Sequence, residues 1–253
     1  MLTRILGESE RRTVFTKCFE KIWHPLNRWI LKIAWFKKIE ICMRVGEFYL
    51  FFRPFVFSDT LMLFTDYEPY IKRVFQPHKG ETVIDVGAHI GIYTLSAAKN
   101  VGNHGTVISF EPDQRNFQLL EKNIKINGFT GVKLFNVALD EKSGRKTLYI
   151  TVDPLYSSLF PSAHTKGKIK VETTTLDNVA EKLKLTHIDW IKIDVEGNEL
   201  NVLEGGKKAF SNLVDRVVIE TSNAKAIRFL AKRDFKIQRL SGINYLASKV
   251  RTN

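Results

Sequence analysis

The chain has 253 residues and is 44% hydrophobic, enough for one sizeable core and outside the composition of a chain that stays unfolded. Its net charge of +12 sits at the ends: residues 1–50 carry ten Lys/Arg against five Glu, residues 225–253 carry eight against Asp234, and residues 51–224 balance at 21 against 21. A nucleic-acid enzyme is expected to concentrate basic side chains beside its site, and Cys18 and Cys42, the only cysteines, give no disulfide framework, so neither a nucleic-acid enzyme nor a secreted disulfide scaffold is favoured and a reducing cytoplasm is expected.

Residues 14–45 place Phe15, Cys18, Phe19, Ile22, Leu26, Trp29, Ile30 and Ile33 at helical spacing with basic residues on the other faces. No uncharged apolar run approaches the roughly 20 residues of a membrane span, and no clean apolar centre suggests a cleavable signal. Two readings stand. One is a helix pair packed on the main domain; the other is peripheral contact with an anionic membrane through residues 1–45. Trp23, Trp29 and Trp35 point in different directions around a helix and Pro25 kinks it, which favours the first. Residues 1–50 are therefore read as a basic amphipathic helical extension and 51–253 as the main domain, with the boundary near 46–58.

From residue 81 onward β-branched runs alternate with helical patterns. "TVID", "TVISF" (106–110), "VKLFNVAL" (132–139), "WIKIDV" (190–195) and "RVVIE" (216–220) read as strands. Gly91–Asn100, Asp113–Asn127, Leu176–Leu185, Glu199–Phe210 and Ala224–Lys232 read as helices. "FKIQRL" and "NYLASKV" flank Ser241-Gly242-Ile243-Asn244 as an edge hairpin, making seven strands. Strand-helix alternation with short links predicts an α/β fold with a doubly wound, mostly parallel sheet. Residues 140–175 are too long for a simple crossover; they alternate like a hairpin around "DPLYSSLFPSAHTKG" and are expected to overhang the site.

"VIDVGAHIGIYTL" closes the first strand with Asp85 and opens a helix through Gly87 and Gly91. Dinucleotide loops read G-x-G-x-x-G and set a pyrophosphate on a helix N-terminus. Here His89 stands where a middle glycine belongs, and a carboxylate at the strand end repels phosphate while attracting a cation. Glu111 ends the next strand, where it can accept hydrogen bonds from two ribose hydroxyls. Two acids and a glycine turn fit S-adenosylmethionine, which carries a sulfonium and an ammonium beside a ribose. Set against this, Asp85 as a helix cap and Glu111 as a solvated strand end are purely structural readings.

"DWIKIDVEGNEL" puts Lys192, Asp194 and Glu196 on one side of a strand by its period of two, at the edge where strand ends converge on a ligand crevice. Asp194 is a candidate for holding the methionyl ammonium or steering the acceptor, and Glu196 for taking the acceptor's proton; an ion pair of Asp194 with Lys192 is the structural alternative. Val195-Glu196-Gly197 stands where amino-group methyltransferases of nucleic acids carry an N-P-P-Y-like turn, which disfavours base methylation and leaves room for a hydroxyl acceptor. His164, in the long insertion, is an alternative base. His187 reads as structural. Asp194, Glu196 and Glu220 offer oxygens to a hard cation, yet no ligand spacing demands one, and no metal is expected.

The ordered set "VIDVGAHIGIYTL", "FEPDQRNFQLLEKNIKIN", "VALDEKSG", "SSL", "VETTTLDN", "IDWIKIDVEGNELNVLEGG" and "VVIET" resembles the FkbM-type methyltransferases, class I S-adenosylmethionine-dependent enzymes that include O-methyltransferases of sugars and polyketides. The resemblance runs from about Gly80 to Thr221. It implies a Rossmann-like methyltransferase sheet in which Asp85, Gly87, His89, Gly91 and Glu111 line the cofactor and Asn116 supports its adenosine side. Asp194 and Glu196 then sit at the methyl-transfer centre, with Tyr67 and Glu68 from "DTLMLFTDYEPY" closing over the cofactor. The family more often has asparagine at the position of His89. The expected function is O-methylation of a hydroxyl on a sugar, glycan or lipid-linked saccharide, in the cytoplasm or peripherally at a membrane. RNA methylation, a non-catalytic cofactor-binding module and a nicotinamide oxidoreductase are the competing readings.

Overall fold

The computed structural model describes residues 39–64, 67–151, 157–162 and 165–250. A hairpin of β1 (Ile41–Val45) and β2 (Phe48–Phe52) leads to α1 (Phe57–Phe64) and α2 (Pro69–Val74). Alternation follows through β3 (Thr82–Val86), α3 (Ile92–Val101), β4 (Thr106–Phe110), α4 (Gln114–Ile126) and β5 (Val132–Phe135). A side sheet of β6 (Ala138–Leu139), β7 (Gly144–Thr151) and β8 (Thr165–Thr174) comes next. The chain then runs through α5 (Leu176–Lys182), β9 (Ile188–Ile193), α6 (Glu199–Glu204), α7 (Lys207–Asn212), β10 (Val214–Glu220), α8 (Ala224–Ala231), β11 (Phe235–Ser241) and β12 (Asn244–Lys249).

The central sheet has seven strands in the order β11-β12-β10-β9-β3-β4-β5, and β12 alone runs against the others. Val83, Ile84, Asp85 and Val86 of β3 are all buried, as expected of a middle strand covered on both faces. The main core joins Ile84, Ile108, Phe110, Ile191, Ile193, Val202, Phe210 and Val217 between sheet and helices. The chain enters the sheet at its centre in β3, winds outward to β5, then returns to build β9 and β10 on the other side. Crossovers leave β3 and β9 in opposite directions, so a crevice must open at their carboxyl ends.

The structure departs from the sequence reading at three places. Helix was expected through residue 50, but Ile41–Val45 pairs with Phe48–Phe52 around Gly46-Glu47. This hairpin is held by Asn123 of α4 and Asn127 just past its end: the Phe51 amide donates to Asn123 Oδ1 at 2.6 Å and the Tyr49 amide to Asn127 Oδ1 at 2.8 Å, replacing the partners an edge strand lacks. Residues 1–38, which carry most of the proposed extension, lie outside the described residues. "VKLFNVAL" is two strands rather than one: Asn136 Nδ2 donates to the Glu111 carbonyl at 2.7 Å and the Pro112 carbonyl at 3.2 Å, and this turns the chain so that β6 joins the side sheet. Finally, the helix expected over Glu199–Phe210 is broken at Gly205-Gly206. A Cβ on Gly205 would lie 2.0 Å from the Asp140 carbonyl oxygen, so the start of the insertion packs directly on backbone there.

Candidate active site

The crevice at the ends of β3 and β9 is set by backbone contact. The Asp194 amide donates to the Val86 carbonyl at 3.0 Å, and a Cβ on Gly87 would lie 1.8 Å from the Asp194 carbonyl oxygen. With φ of 86° as well, position 87 admits only glycine. The Gly87 and Ala88 amides both donate to the Phe110 carbonyl at 3.0 Å, tying the loop to the end of β4, and Gly91 opens α3. Two cavities meet across Gly87, His89 and Asp194.

The first cavity has Glu111, Asn116, Asp194 and Glu196 among its polar walls and Phe110, Pro112, Val137, Leu139 and Leu148 among its apolar ones. Glu111 Oε2 accepts from the His89 amide at 2.8 Å, and Oε1 accepts from the Asp113 amide at 2.9 Å and from Asn116 Nδ2 at 3.4 Å. Burial pushes its carboxyl up to about 7 despite these donors, so the purely structural reading of a solvated strand end does not hold. Asn116 is fixed in turn: Arg53 donates to its Oδ1 at 2.9 Å while holding Asp59 through Nε at 2.8 Å and Nη2 at 2.9 Å. His89 adopts a left-handed backbone with φ of 52°, and its Nε2 lies 3.7 Å from Asp59 Oδ1. The imidazole thus leans on the Arg53–Asp59 pair.

The second cavity is lined by Met62, Tyr67, Asp85, Tyr93, Lys192 and Asp194, among others. Asp85 is 1% exposed. Its Oδ2 accepts from Thr94 Oγ1 at 2.7 Å, and its Oδ1 makes no hydrogen bond among the described residues. Burial raises its pKa, opposed by Lys192, its register partner across β3 and β9. Lys192 Nζ donates to Asp194 Oδ2 at 3.0 Å and sits 4.5 Å from the centre of the Tyr93 ring. Burial works against this ammonium, but Asp194, Glu68 and Asp85 outweigh it and hold its pKa above the ordinary range.

The acids expected on one strand face are arranged differently. β9 ends at Ile193, so Asp194 and Glu196 lie in the turn beyond it, with Glu196 left-handed at φ of 52°. The period of two ends with the strand. The ion pair of Asp194 with Lys192, the structural alternative, is present, and Glu196 stands at the rim of the first cavity. Burial and then repulsion from Asp194, Glu220 and Glu199 push the Glu196 carboxyl up to about 8. Glu220 rises to about 7 through burial, Asp194 and Glu68. Glu68 caps α2 in a left-handed conformation, accepts from Tyr93 Oη at 2.6 Å and has its pKa raised by burial. Glu68, Asp194 and Glu220 each bring an oxygen to within 4.8 Å of the others. The acid cluster thus contains Glu68 in place of the Glu196 considered from sequence.

His164 lies outside the described residues. His187 is at the far end of the sheet, with Nε2 3.2 Å from Asp189 and 3.3 Å from Asp215, where a structural role fits. Sequence reasoning did not assign Arg53, Asp59, Thr94 or Ser158. Asp59, Thr94 and Ser158 lie within the quoted "DTLMLFTDYEPY", "VIDVGAHIGIYTL" and "SSL", whereas Arg53 had no signal.

Two acids at adjacent strand ends, an apolar slot beside one and a buried oxygen open on the other match a nucleoside with a cationic tail, and not a pyrophosphate. The fold and site together define a Rossmann-like α/β protein with a crevice of this character at the switch point of its sheet. Residues 85–237 match the family model described as the methyltransferase FkbM domain, and the chain belongs to that family of S-adenosylmethionine-dependent methyltransferases. "Methyltransferase 1" of Beauveria bassiana (strain ARSEF 2860) is 25% identical over 163 residues, covering 56% of this chain and 65% of that protein. "Methyltransferase sdnD" of Sordaria araneosa is 28% identical over 177 residues, covering 58% and 68%. "Hexuronic acid methyltransferase AglP" of Haloferax volcanii is 26% identical over 145 residues, covering 57% of each. The chain thus spans between 57% and 68% of the length of these curated relatives.

Proposed function

We propose that this chain transfers a methyl group from S-adenosylmethionine to a hydroxyl of a sugar, glycan or lipid-linked saccharide. The observation that carries the reading is Glu196: a carboxyl at the cavity rim, pushed up to about 8, is matched to accepting a hydroxyl proton near neutral pH. When bound, the cofactor supplies a methyl group activated on a sulfonium. Glu111 retains lone pairs beyond those used by the His89 and Asp113 amides, and these suit ribose hydroxyls. Phe110, Pro112 and Leu139 offer the adenine an apolar slot, with Asn116 at its side. Asp85 and Asp194 complement the cationic tail; Lys192 between them opposes the effect of burial on Asp85 and donates to Asp194 Oδ2 at 3.0 Å.

The chemistry asked of the protein is modest. It holds the acceptor oxygen toward the methyl group, excludes water and receives one proton at a Glu196 carboxylate oxygen. The relative named for hexuronic acid supports a sugar acceptor. Transfer of a radiolabelled methyl group from the cofactor into fractionated cell extract tests the assignment. Label in polysaccharide or lipid-linked saccharide supports it, and label confined to RNA or protein overturns the acceptor class. RNA binding that weakens steeply with salt in a filter assay would point the same way as label in RNA.

The basic residues of 1–38 are proposed to bring the enzyme to an anionic membrane carrying such acceptors. Among the described residues no helix is long and apolar enough to cross one. Equal liposome sedimentation of the full chain and a variant lacking residues 1–38 would remove this part of the proposal.

A further inference from the structure

The segment between β7 and β8 presents a large aromatic to solvent beside the candidate base. Phe160 is 48% exposed. A Cβ on Gly197 would lie 3.8 Å from Phe160 Cδ2, so the ring lies against the backbone of the turn that carries Glu196. One hydroxyl ties the two together: Ser158 Oγ donates to the Glu196 carbonyl at 2.6 Å and accepts from the Phe160 amide at 3.1 Å. Ser158 is itself buried and anchored to β7, where the Tyr149 amide donates to its carbonyl at 2.8 Å and its own amide donates to the Tyr149 carbonyl at 3.1 Å. The left-handed backbone of Glu196 is unfavourable for a residue with a side chain, and the Ser158 hydrogen bond helps to hold it.

We propose that Ser158, Phe160 and Glu196 form an acceptor subsite for an uncharged saccharide ring, in which the Ser158 hydroxyl fixes the stacking face relative to the proton-accepting carboxyl. The proposal rests on the methyl-transfer reading for the role of Glu196 and goes beyond it in the ligand and the residues. A pyranose has an apolar face of C–H groups and a rim of hydroxyls. Phe160 meets the face, and Glu196 meets a hydroxyl on the rim.

Charge selects among ring-bearing acceptors. Glu68, Asp194, Glu196, Glu199 and Glu220 interact with one another around this turn, and Lys192, the cation among them, is already paired with Asp194. At a pH where Glu196 and Glu220 are ionised, a phosphate or carboxylate brought to the same place meets repulsion, whereas a neutral ring does not. The subsite therefore selects against nucleic acid and against uronates, unlike the acceptor named for the haloarchaeal relative.

The test is saturation-transfer NMR on the full chain saturated with S-adenosylhomocysteine, using the methyl glycosides of glucose, galactose and mannose as neutral probes and methyl glucuronide as the charged one. Transfer to ring C–H protons of a neutral glycoside is expected, reduced roughly fivefold or more in Phe160→Ala and retained in Phe160→Trp. Ser158→Ala is expected to weaken the same contact while S-adenosylhomocysteine affinity stays unchanged, with Ser158→Thr restoring it. No transfer to any neutral glycoside, preference for the glucuronide, or equal transfer in wild type and Phe160→Ala each overturns the subsite. Loss of S-adenosylhomocysteine binding by the wild-type chain would instead remove the methyl-transfer reading, so the two failures are distinguishable.

Discussion

If Glu196 is the proton acceptor, the rate must follow its ionisation. A carboxyl with its midpoint at about 8 is ionised in roughly a tenth of molecules at pH 7 and roughly nine-tenths at pH 9, so the rate should rise close to tenfold across that interval. An ordinary glutamate would give a flat profile there. Initial rates of label transfer into the accepting fraction, taken from pH 6 to 9.5 at low acceptor concentration, report the midpoint in the enzyme before the acceptor binds. The charged groups facing Glu196 are Asp194, Glu220, Glu199 and Lys192. Glu220→Gln removes one source of repulsion, and the midpoint should move to lower pH with activity kept. Glu196→Gln should lower turnover by about 10² to 10⁴ and abolish the limb, while calorimetry shows unchanged S-adenosylhomocysteine affinity. The reasoning fails if Glu196→Gln keeps the wild-type limb at a comparable rate. Should the limb vanish in Glu220→Gln instead, the base is Glu220.

Asp85→Ala and Glu111→Ala should each weaken S-adenosylhomocysteine binding by about tenfold or more, since each removes a buried hydrogen-bond acceptor from the pocket; unchanged affinity in both refutes the assigned site. Lys192→Met strands Asp85, Asp194 and Glu68 without their buried cation and should cost about 3 to 5 kcal/mol at neutral pH, with stability recovering as acid protonates Asp85 and Glu68, whose pKa values burial raises; denaturant melts at pH 5 and 8 decide this. The ligand-free protein should lose stability as pH rises from about 4.5 to 8. Glu111, Glu196 and Glu220 all hold their protons more tightly folded than unfolded, so their contribution is complete below the unfolded pKa and disappears through the folded values of about 7 to 8. Glu111→Gln should flatten that dependence in thermal melts. Gly87→Ala should lower the melting temperature by several degrees or prevent folding, because its methyl group meets the Asp194 carbonyl; a wild-type melt would contradict the described approach of β3 and β9.

Local pattern and chain order were sufficient to read much of the molecule. Short β-branched runs and their links set the alternation and the seven strands, because a sheet buried on both faces demands continuous apolar strands such as "TVIDV". The glycine loop with Asp85 and Glu111 marked a cation-complementing site at the strand ends, because a carboxylate there selects against phosphate whatever surrounds it. The hairpin at residues 41–52 was also open to sequence reading, since Gly46-Glu47 between β-rich runs is a turn signal, but the preceding helical spacing overrode it.

Other features depend on groups distant in sequence. Asn123 and Asn127 complete the hairpin, Arg53 and Asp59 steady Asn116, and Thr94 orients Asp85. The pKa of Glu196 comes first from burial and then from Asp194 and Glu199 in its own turn and Glu220 at the end of β10, so a window around residue 196 contains two of the carboxylates but neither the burial nor Glu220. Its escape from the strand's period of two follows from β9 ending at Ile193, and its left-handed turn is held by Ser158 from the side sheet. The sequence determined which chemistry the chain carries, because side-chain type and local periodicity are local properties. Tertiary structure decided which carboxyl holds a proton near neutral pH and what faces it, because desolvation and Coulomb repulsion depend on distance in space.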